Sequence, residues 1–304
     1  MNKDNRKLAT ELVARHTQHG LSKSQAKALG KIASIGTERA YRQCVFNYLE
    51  WCDLNKVHPS LRANISMLND YIDERREWVG QKTLDQERQA LSLVYKQKLL
   101  YKRVYQESVN EKRSYTYDEV KAIAAHQSEK NAIPTFLSFY SGIRAHEAAT
   151  ILPISERKAS VHRSWDPHRF IGLPDFLLYT VKGKGGLVRE IAVPIWLARK
   201  LEARRRPPTR VVDREIIYLS CYDIGFGQSW SQSVTTACKI AIKVSRGAHG
   251  LRHSYAKWRL HHITQEMIAA RHGEGEHNLE EQALLILSQE LGHFRLDVVY
   301  CYLR

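Results

Sequence analysis

Apolar residues recur at helical spacing along much of the chain. In TERAYRQCVFNYLEWC, Tyr41, Cys44, Val45, Tyr48, Leu49 and Cys52 fall on one stripe, which predicts a helix beginning at Thr37. A second helix is expected over residues 64–78. A third is expected to open at Thr83, where TLDQ has the capping-box pattern with Gln86 at the third helical position. Leu84, Leu91, Val94 and Tyr95 then follow on one side. The first ~110 residues therefore read as a small all-helical bundle whose aromatic stripes are core. Residues 1–34 are polar and basic with weak helical patterning and read as an arm or an extra helix. KQKLLYKRVYQESVNEKR, residues 96–113, is rich in charge and poor in periodicity; it reads as an interdomain linker able to touch phosphates, or equally as a solvated helix end. The period changes at FLLYTV and LVREIAVP, two short β-rich runs separated by GKGG, which predicts a hairpin. Helical patterning surrounds it, from YTYDEVKAIAAH onward and again after residue 230. The expected fold class is mainly α (α+β). An N-terminal helical bundle spans 35–98, a linker 99–113, and a mixed helical domain with a small β-hairpin sheet 114–304.

Composition narrows the partners. The 304 residues are 43% hydrophobic, ample for the cores of two domains. Lys plus Arg number 47 against 32 Asp plus Glu, a formal charge of +15 that points to a polyanion, nucleic acid ahead of an anionic membrane surface. No apolar run approaches the ~20 residues of a membrane span. The start, MNKDNRKLATELVARHTQHG, lacks the apolar core of a signal peptide, so a cytoplasmic location with no membrane partner is expected. Cys44, Cys52, Cys221, Cys238 and Cys301 are scattered with no CxxC, which argues against a disulfide framework. His261, His262, His272 and His277 crowd one region without regular helical spacing. They read as solvated or DNA-facing rather than as metal ligands; no metal and no cofactor are expected.

Four stretches carry candidate chemistry. In FLSFYSGIRAHEAATIL, Gly142 breaks a buried helix, Arg144 starts the next, and Glu147 lies three residues on, on the same face. Alone this is a structural salt bridge. In YTVKGKGGLVREIAVP, Lys182 and Lys184 stand at a glycine-rich tip that matches neither a Walker loop nor a dinucleotide fingerprint. Alone it is a solvated turn. In GAHGLRHSYAKWRL, a helical start puts His249 and Arg252 on one face, with His253 pointing elsewhere. In LGHFRLDVVYCYLR, His293 follows a glycine at a helix boundary, and Tyr300 and Tyr302 come seven and nine residues later. Two residues on a helix differ by ~200°, so only one phenol can enter a given site.

Taken in order, Arg…Lys…His-x-x-Arg…His…Tyr resembles the tyrosine recombinase (phage integrase) family, including Xer-type recombinases and phage lambda integrase, from about residue 35 to the end. The family pattern falls on Arg144, Glu147, Lys184, His249, Arg252, His293 and Tyr302, while Tyr300 fails the spacing and reads as packing. The resemblance implies a SAM-like core-binding domain, a catalytic domain over 114–304, and cleavage and rejoining of DNA at a specific site. The intermediate would be a covalent 3′-phosphotyrosyl, formed without metal or ATP. Arg144 and Arg252 would clamp the phosphate. Tyr302, a phenol of pKa ~10, would need His249 to accept its proton or orient the phosphate. His293 would bond the phosphate or brace Tyr302, and Lys184 would protonate the leaving 5′-oxygen. Glu147 would support the basic cluster. Further phosphate contacts are expected at Lys82, Arg88, Lys98, Lys102 and Arg103, the two domains clamping double-stranded DNA. A homo-oligomer, tetrameric in the synaptic complex, and a nucleoid-associated bacterial or phage setting that integrates or excises a mobile element are implied.

The chain also departs from the family. Arg144 to Lys184 spans 40 residues and Arg252 to His293 spans 41, with extra length near 155–172 and 270–282. Family members usually continue past the tyrosine with a segment that docks on a neighbouring protomer. Here Leu303 and Arg304 follow, which implies coupling through other surfaces or a sequence cut short. Two other readings stand beside this one: a type IB topoisomerase-like DNA relaxer, and a non-catalytic DNA-binding accessory protein.

Overall fold

The structure, a computed structural model, describes residues 3–105, 113–270 and 279–303, without the side chains of Lys23 and Lys184. It is mainly helical with two small antiparallel sheets, and it divides into two units, Met1–Val109 and Asn110–Arg304. No helix among the described residues is long and apolar enough to cross a membrane.

The first unit holds helices α1 (Lys3–Ala14), α2 (Lys23–Ala28), α3 (Ile35–Leu54), α4 (Ile65–Arg75) and α5 (Gln81–Tyr95). The expected stripe of α3 is its core face: Val45, Tyr48, Leu49 and Cys52 are buried against Leu68, Tyr71, Leu84 and Leu91, and Cys44 is buried too. Ala9 and Val13 of α1 join the same core. Two helix starts differ from expectation. Helix α3 begins at Ile35 because the Ser34 side chain accepts the Thr37 N–H, 3.1 Å away. Helix α5 begins at Gln81, with Gly80 as N-cap, so the TLDQ pattern lies inside the helix and caps nothing. The reason is tertiary: the Gln81 amide accepts the Val104 N–H at 3.0 Å and donates to the Lys102 carbonyl at 3.0 Å, which ties the start of α5 to the following segment.

The second unit carries the candidate chemistry. Helices α6 (Tyr117–Ala125) and α7 (Glu129–Ser141) lead to a short 3-10 turn, Glu147–Thr150. A three-stranded sheet follows in the order β1 (Leu152–Pro153), β2 (Phe176–Lys182), β3 (Val188–Pro194). The expected hairpin is β2–β3, with Lys182 opposite Val188 and the tip at 184–186. After α8 (Ile195–Glu202) comes a second hairpin that the pattern did not predict, β4 (Arg205–Asp213) with β5 (Ile216–Tyr222). Its strand begins RRPPTR, with two prolines and no alternation, and its turn places Arg214 and Glu215 at φ 49° and 68° with no Asn-Gly or Asp-Gly to announce it. Helices α9 (Gly227–Ala241), α10 (His249–Ala270), α11 (Leu279–Glu290) and α12 (Leu296–Leu303) complete the unit. Tyr255, Ala256 and Ile263 of α10, Leu284 and Leu287 of α11, and Val299 and Tyr302 of α12 share one buried cluster, which fixes α12 on α10.

Gly142 ends α7 in the left-handed conformation. It caps α7 at φ 59°, and a Cβ there would lie 2.5 Å from Tyr255 Cδ1. Its carbonyl accepts from both Arg189 and Arg252. Gly142→Ala adds a left-handed residue and a clash at a point that orders two arginines. A loss of about 2–4 kcal/mol in urea unfolding is expected. A loss under ~0.5 kcal/mol would show that the α7 end relaxes freely.

Candidate active site

The end of α7, the start of α10 and the α11–α12 boundary bring five of the seven sequence-matched residues into direct contact. Glu147, fully buried, accepts the Arg144 backbone N–H at 2.9 Å and an Arg144 guanidinium N–H at 2.6 Å. Arg144 is partly exposed, and its other terminal nitrogen lies 3.0 Å from His293 Nε2. Arg252, fully buried, donates to the carbonyls of Gly142 and Leu291, places Nη2 3.2 Å from the same His293 nitrogen, and donates through Nε to the Tyr302 hydroxyl at 3.2 Å. Tyr302 is 5% exposed and its hydroxyl stands 3.1 Å from His293 Nε2.

The donors define the protons. Two guanidinium N–H groups and one phenol converge on His293 Nε2, so that nitrogen must offer its lone pair and the hydrogen sits on Nδ1. Burial first, then Arg252 and Arg144, lower the His293 pKa to about 3. The phenol accepts from Arg252 and donates to His293. The folded chain keeps His293 neutral while an unfolded one protonates near 6.5. Stability from this residue is therefore complete above pH ~6.5 and falls as pH drops toward about 3. In the free protein its ring carbon protons are expected to show no titration by NMR between pH 5 and 8; a midpoint near 6.5 would mean the three-donor arrangement does not exist in solution.

His249 opens α10, with its ring centroid 5.4 Å from that of Tyr302 and 5.2 Å from that of His253. It is exposed as a residue, yet desolvation by its neighbours, then Arg252 and His253, lowers its pKa. It makes no hydrogen bond to the Tyr302 hydroxyl, which leaves that contact to His293. For Lys184 the backbone is placed at the β2–β3 tip and its side chain lies outside the described residues. That tip abuts the cluster, since a Cβ at Gly183 would stand 3.1 Å from Glu147 Oε1 and 3.9 Å from Arg144 Nη1.

Three expectations are corrected. Tyr300 does not pack: it is 48% exposed, because α12 buries only the face carrying Val299 and Tyr302. His253 does not point away: its ring centroid is 4.9 Å from that of Tyr302 and its Nδ1 is 3.2 Å from the Tyr302 carbonyl oxygen. The histidines near 261–277 do not all face solvent: His262 Nε2 is 2.6 Å from the Gly172 carbonyl, while His272 and His277 lie outside the described residues. Of the expected phosphate contacts in the first unit, Lys82, Lys98 and Arg103 are exposed. Arg88 and Lys102 are engaged with Asp85 and Asp73.

Sequence reasoning missed Arg189. It is 1% exposed and donates to Glu147 at 2.8 Å and to the Glu290 carbonyl at 2.6 Å. Its signal was available: it alternates with Ile191 and Val193 on β3, a charge at an inward-facing position. Burial alone would raise the Glu147 carboxyl, but Arg189, Arg144 and Arg252 hold it well below the usual range. Burial and then Arg144 lower the Arg252 pKa to about 9, still a cation at neutral pH. Three guanidiniums thus surround one carboxylate and two neutral imidazoles. Among the described residues no carboxylate bonds Arg252. A buried cation left so is costly unless an anion completes it.

No family model matches the chain, and no curated protein matches it. Solved structures do. A XerH site-specific recombinase bound to palindromic difH substrate in a post-cleavage complex matches with TM-score 0.53 and 14% identity, over 99% of this chain and 90% of that one. The pre-cleavage complex of XerH with difH matches with TM-score 0.53 and 16% identity, over 99% and 91%. The Tn1549 transposon integrase in complex with transposon right end DNA matches with TM-score 0.51 and 12% identity, over 97% and 94%. The likeness is one of fold, and it runs through both units.

Proposed function

We propose that this chain is a site-specific DNA recombinase that cleaves and rejoins strands through a 3′-phosphotyrosyl intermediate on Tyr302. One observation carries the reading: a buried arginine with no bonded carboxylate, Arg252, donates to a tyrosine hydroxyl whose own proton is aimed at a neutral histidine. That is a nucleophile, its base and an anion clamp within hydrogen-bond reach of one another. The fold shared with XerH bound to difH substrate and with the Tn1549 transposon integrase in complex with transposon right end DNA supports it.

The proposed steps are these. A scissile phosphodiester draws Arg144 and Arg252 onto its non-bridging oxygens. Both guanidiniums then turn from His293 to the phosphate, whose negative charge offsets their part of the lowering; burial, the larger cause, stays, and the His293 basicity is proposed to rise with substrate in place. The phenol proton passes to His293, the phenolate oxygen attacks phosphorus, and the bond to the 5′-oxygen breaks with a proton supplied to that oxygen. Lys184, on the tip against Glu147, is the proposed donor. His249 is proposed to orient the phosphate. Glu147, itself bonded by Arg189, holds Arg144. The expected homo-oligomer, the phosphate contacts in the first unit, and integration or excision of a mobile element belong to this proposal.

The test is covalent trapping on nicked suicide duplexes drawn from DNA around the chain's own gene, without divalent metal, with the adduct mapped by mass spectrometry. An adduct on Tyr302 supports the reading. Intact DNA binding with no adduct would favour an accessory DNA-binding protein instead.

A further inference from the structure

Tyr302 sits one residue before the end of α12, an eight-residue helix. Packing of Val299 and Tyr302 holds the helix to α10. Three side-chain polar contacts reach Tyr302: Arg252 and His293 at the hydroxyl, and His253 Nδ1 at the main-chain carbonyl, 3.2 Å. Because the partner is a carbonyl oxygen, Nδ1 carries the hydrogen and donates. Arg252 and His253 are consecutive on α10, so one helix turn grips the tyrosine at both its ends.

These contacts differ in one respect. In the proposed reaction Arg252 turns to the phosphate and His293 takes the phenol proton, so both hydroxyl contacts are exchanged as the nucleophile reacts. The His253 contact touches neither the phenol oxygen nor the phosphate. We infer that His253 is a positioning residue: its Nδ1–H bond to the Tyr302 carbonyl holds the C-terminal turn of α12 in place while the hydroxyl changes partners. The ring adds a wall 4.9 Å from the phenol centroid, which restricts its tilt. The inference rests on the recombinase reading, since only there are the hydroxyl contacts given up. A misplacement of ~1 Å at a reacting centre costs up to ~100-fold in rate, so a backbone anchor of this kind is read in the chemical step and not in binding.

Two variants test it. His253→Leu fills the 3%-exposed site and removes the donor. His253→Asn places an amide N–H near the Nδ1 position. Single-turnover adduct formation on a nicked duplex is followed over a range of DNA concentrations, with amide hydrogen exchange of residues 296–303 measured on the DNA-free protein. The expected result for His253→Leu is a maximal rate ~10–100-fold lower, an unchanged half-saturating DNA concentration, and faster exchange confined to α12. His253→Asn is expected to recover most of the rate and the protection. A normal rate for His253→Leu, in a chain whose unsubstituted form makes the adduct, overturns the positioning role and leaves the recombinase reading standing. Equal losses in both variants, with faster exchange in α10 as well, overturn it in favour of simple packing. Failure of the unsubstituted chain to form any adduct overturns the recombinase reading and this inference with it.

Discussion

Tyr302→Phe is expected to abolish covalent attachment to nicked DNA, by at least ~10³-fold, while Tyr300→Phe reacts like the unsubstituted chain. The two phenols lie two residues apart, yet α12 buries one at 5% exposure and leaves the other at 48%. The buried hydroxyl is bonded to Arg252 at 3.2 Å and His293 at 3.1 Å, whereas Tyr300 faces solvent. Removing the Tyr302 oxygen takes away the nucleophile and leaves the ring packing of Val299 and α10 intact. Loss of its two hydrogen bonds is expected to cost only about 1–2 kcal/mol, and DNA affinity should hold because Arg144 and Arg252 remain. The measurement is a denaturing gel of protein–DNA adduct with the attachment site mapped, alongside a binding isotherm. Persistence of the adduct in Tyr302→Phe, or its disappearance in Tyr300→Phe, would place the nucleophile elsewhere.

Glu147→Gln should be strongly destabilising although it is isosteric. Its carboxylate is fully buried and bonds Arg144 at 2.6 Å and Arg189 at 2.8 Å. Glutamine keeps the shape and removes the charge, which leaves Arg189 and Arg252 buried beside Arg144 with nothing to balance them. Breaking a buried pair in this way costs ~3–5 kcal/mol. For a unit of this size that is a fall of roughly 10 °C in Tm. Adduct formation should fall too, because the Arg144 guanidinium loses the carboxylate that aims it. The same residue predicts acid sensitivity. Its folded-state carboxyl is held far below the unfolded value of 4.5, so its contribution is complete above pH ~4.5 and is lost as pH falls further. Urea unfolding of the wild-type and Glu147→Gln chains from pH 7 to pH 3 reads both effects. The difference between the two should shrink as the pH falls. A constant difference, or one under ~1 kcal/mol at pH 7, would show that Glu147 is not ionised in the folded chain.

How much was legible in the sequence follows from which interactions are local. The stripe of Tyr48, Leu49 and Cys52 has a single helical solution, since only one face brings those side chains together, and it is buried as expected. Gly142 marked the end of α7 because its left-handed conformation is open to glycine. The β2–β3 hairpin followed from a change of period across a glycine-rich tip. The α5 start, set by the Gln81 side chain reaching residues 102 and 104, could not be read from TLDQ, and β4–β5 was hidden by its prolines.

For the candidate site, the sequence by itself determined which residue types stood at which spacing: a helix-ending glycine before Arg144, His249 and Arg252 one turn apart, His293 nine residues before Tyr302. Spacing along one helix is local geometry and survives any tertiary arrangement. What only the tertiary structure decided is which groups meet. His293 rather than His249 receives the phenol, because the α11–α12 boundary aims Nε2 at the hydroxyl while α10 sets the His249 ring beside the phenol face. Arg189 enters the cluster from a strand 42 residues away from Glu147, and His253 reaches the carbonyl of a residue 49 positions on. Contacts across such separations depend on how whole elements pack, and no local pattern encodes them.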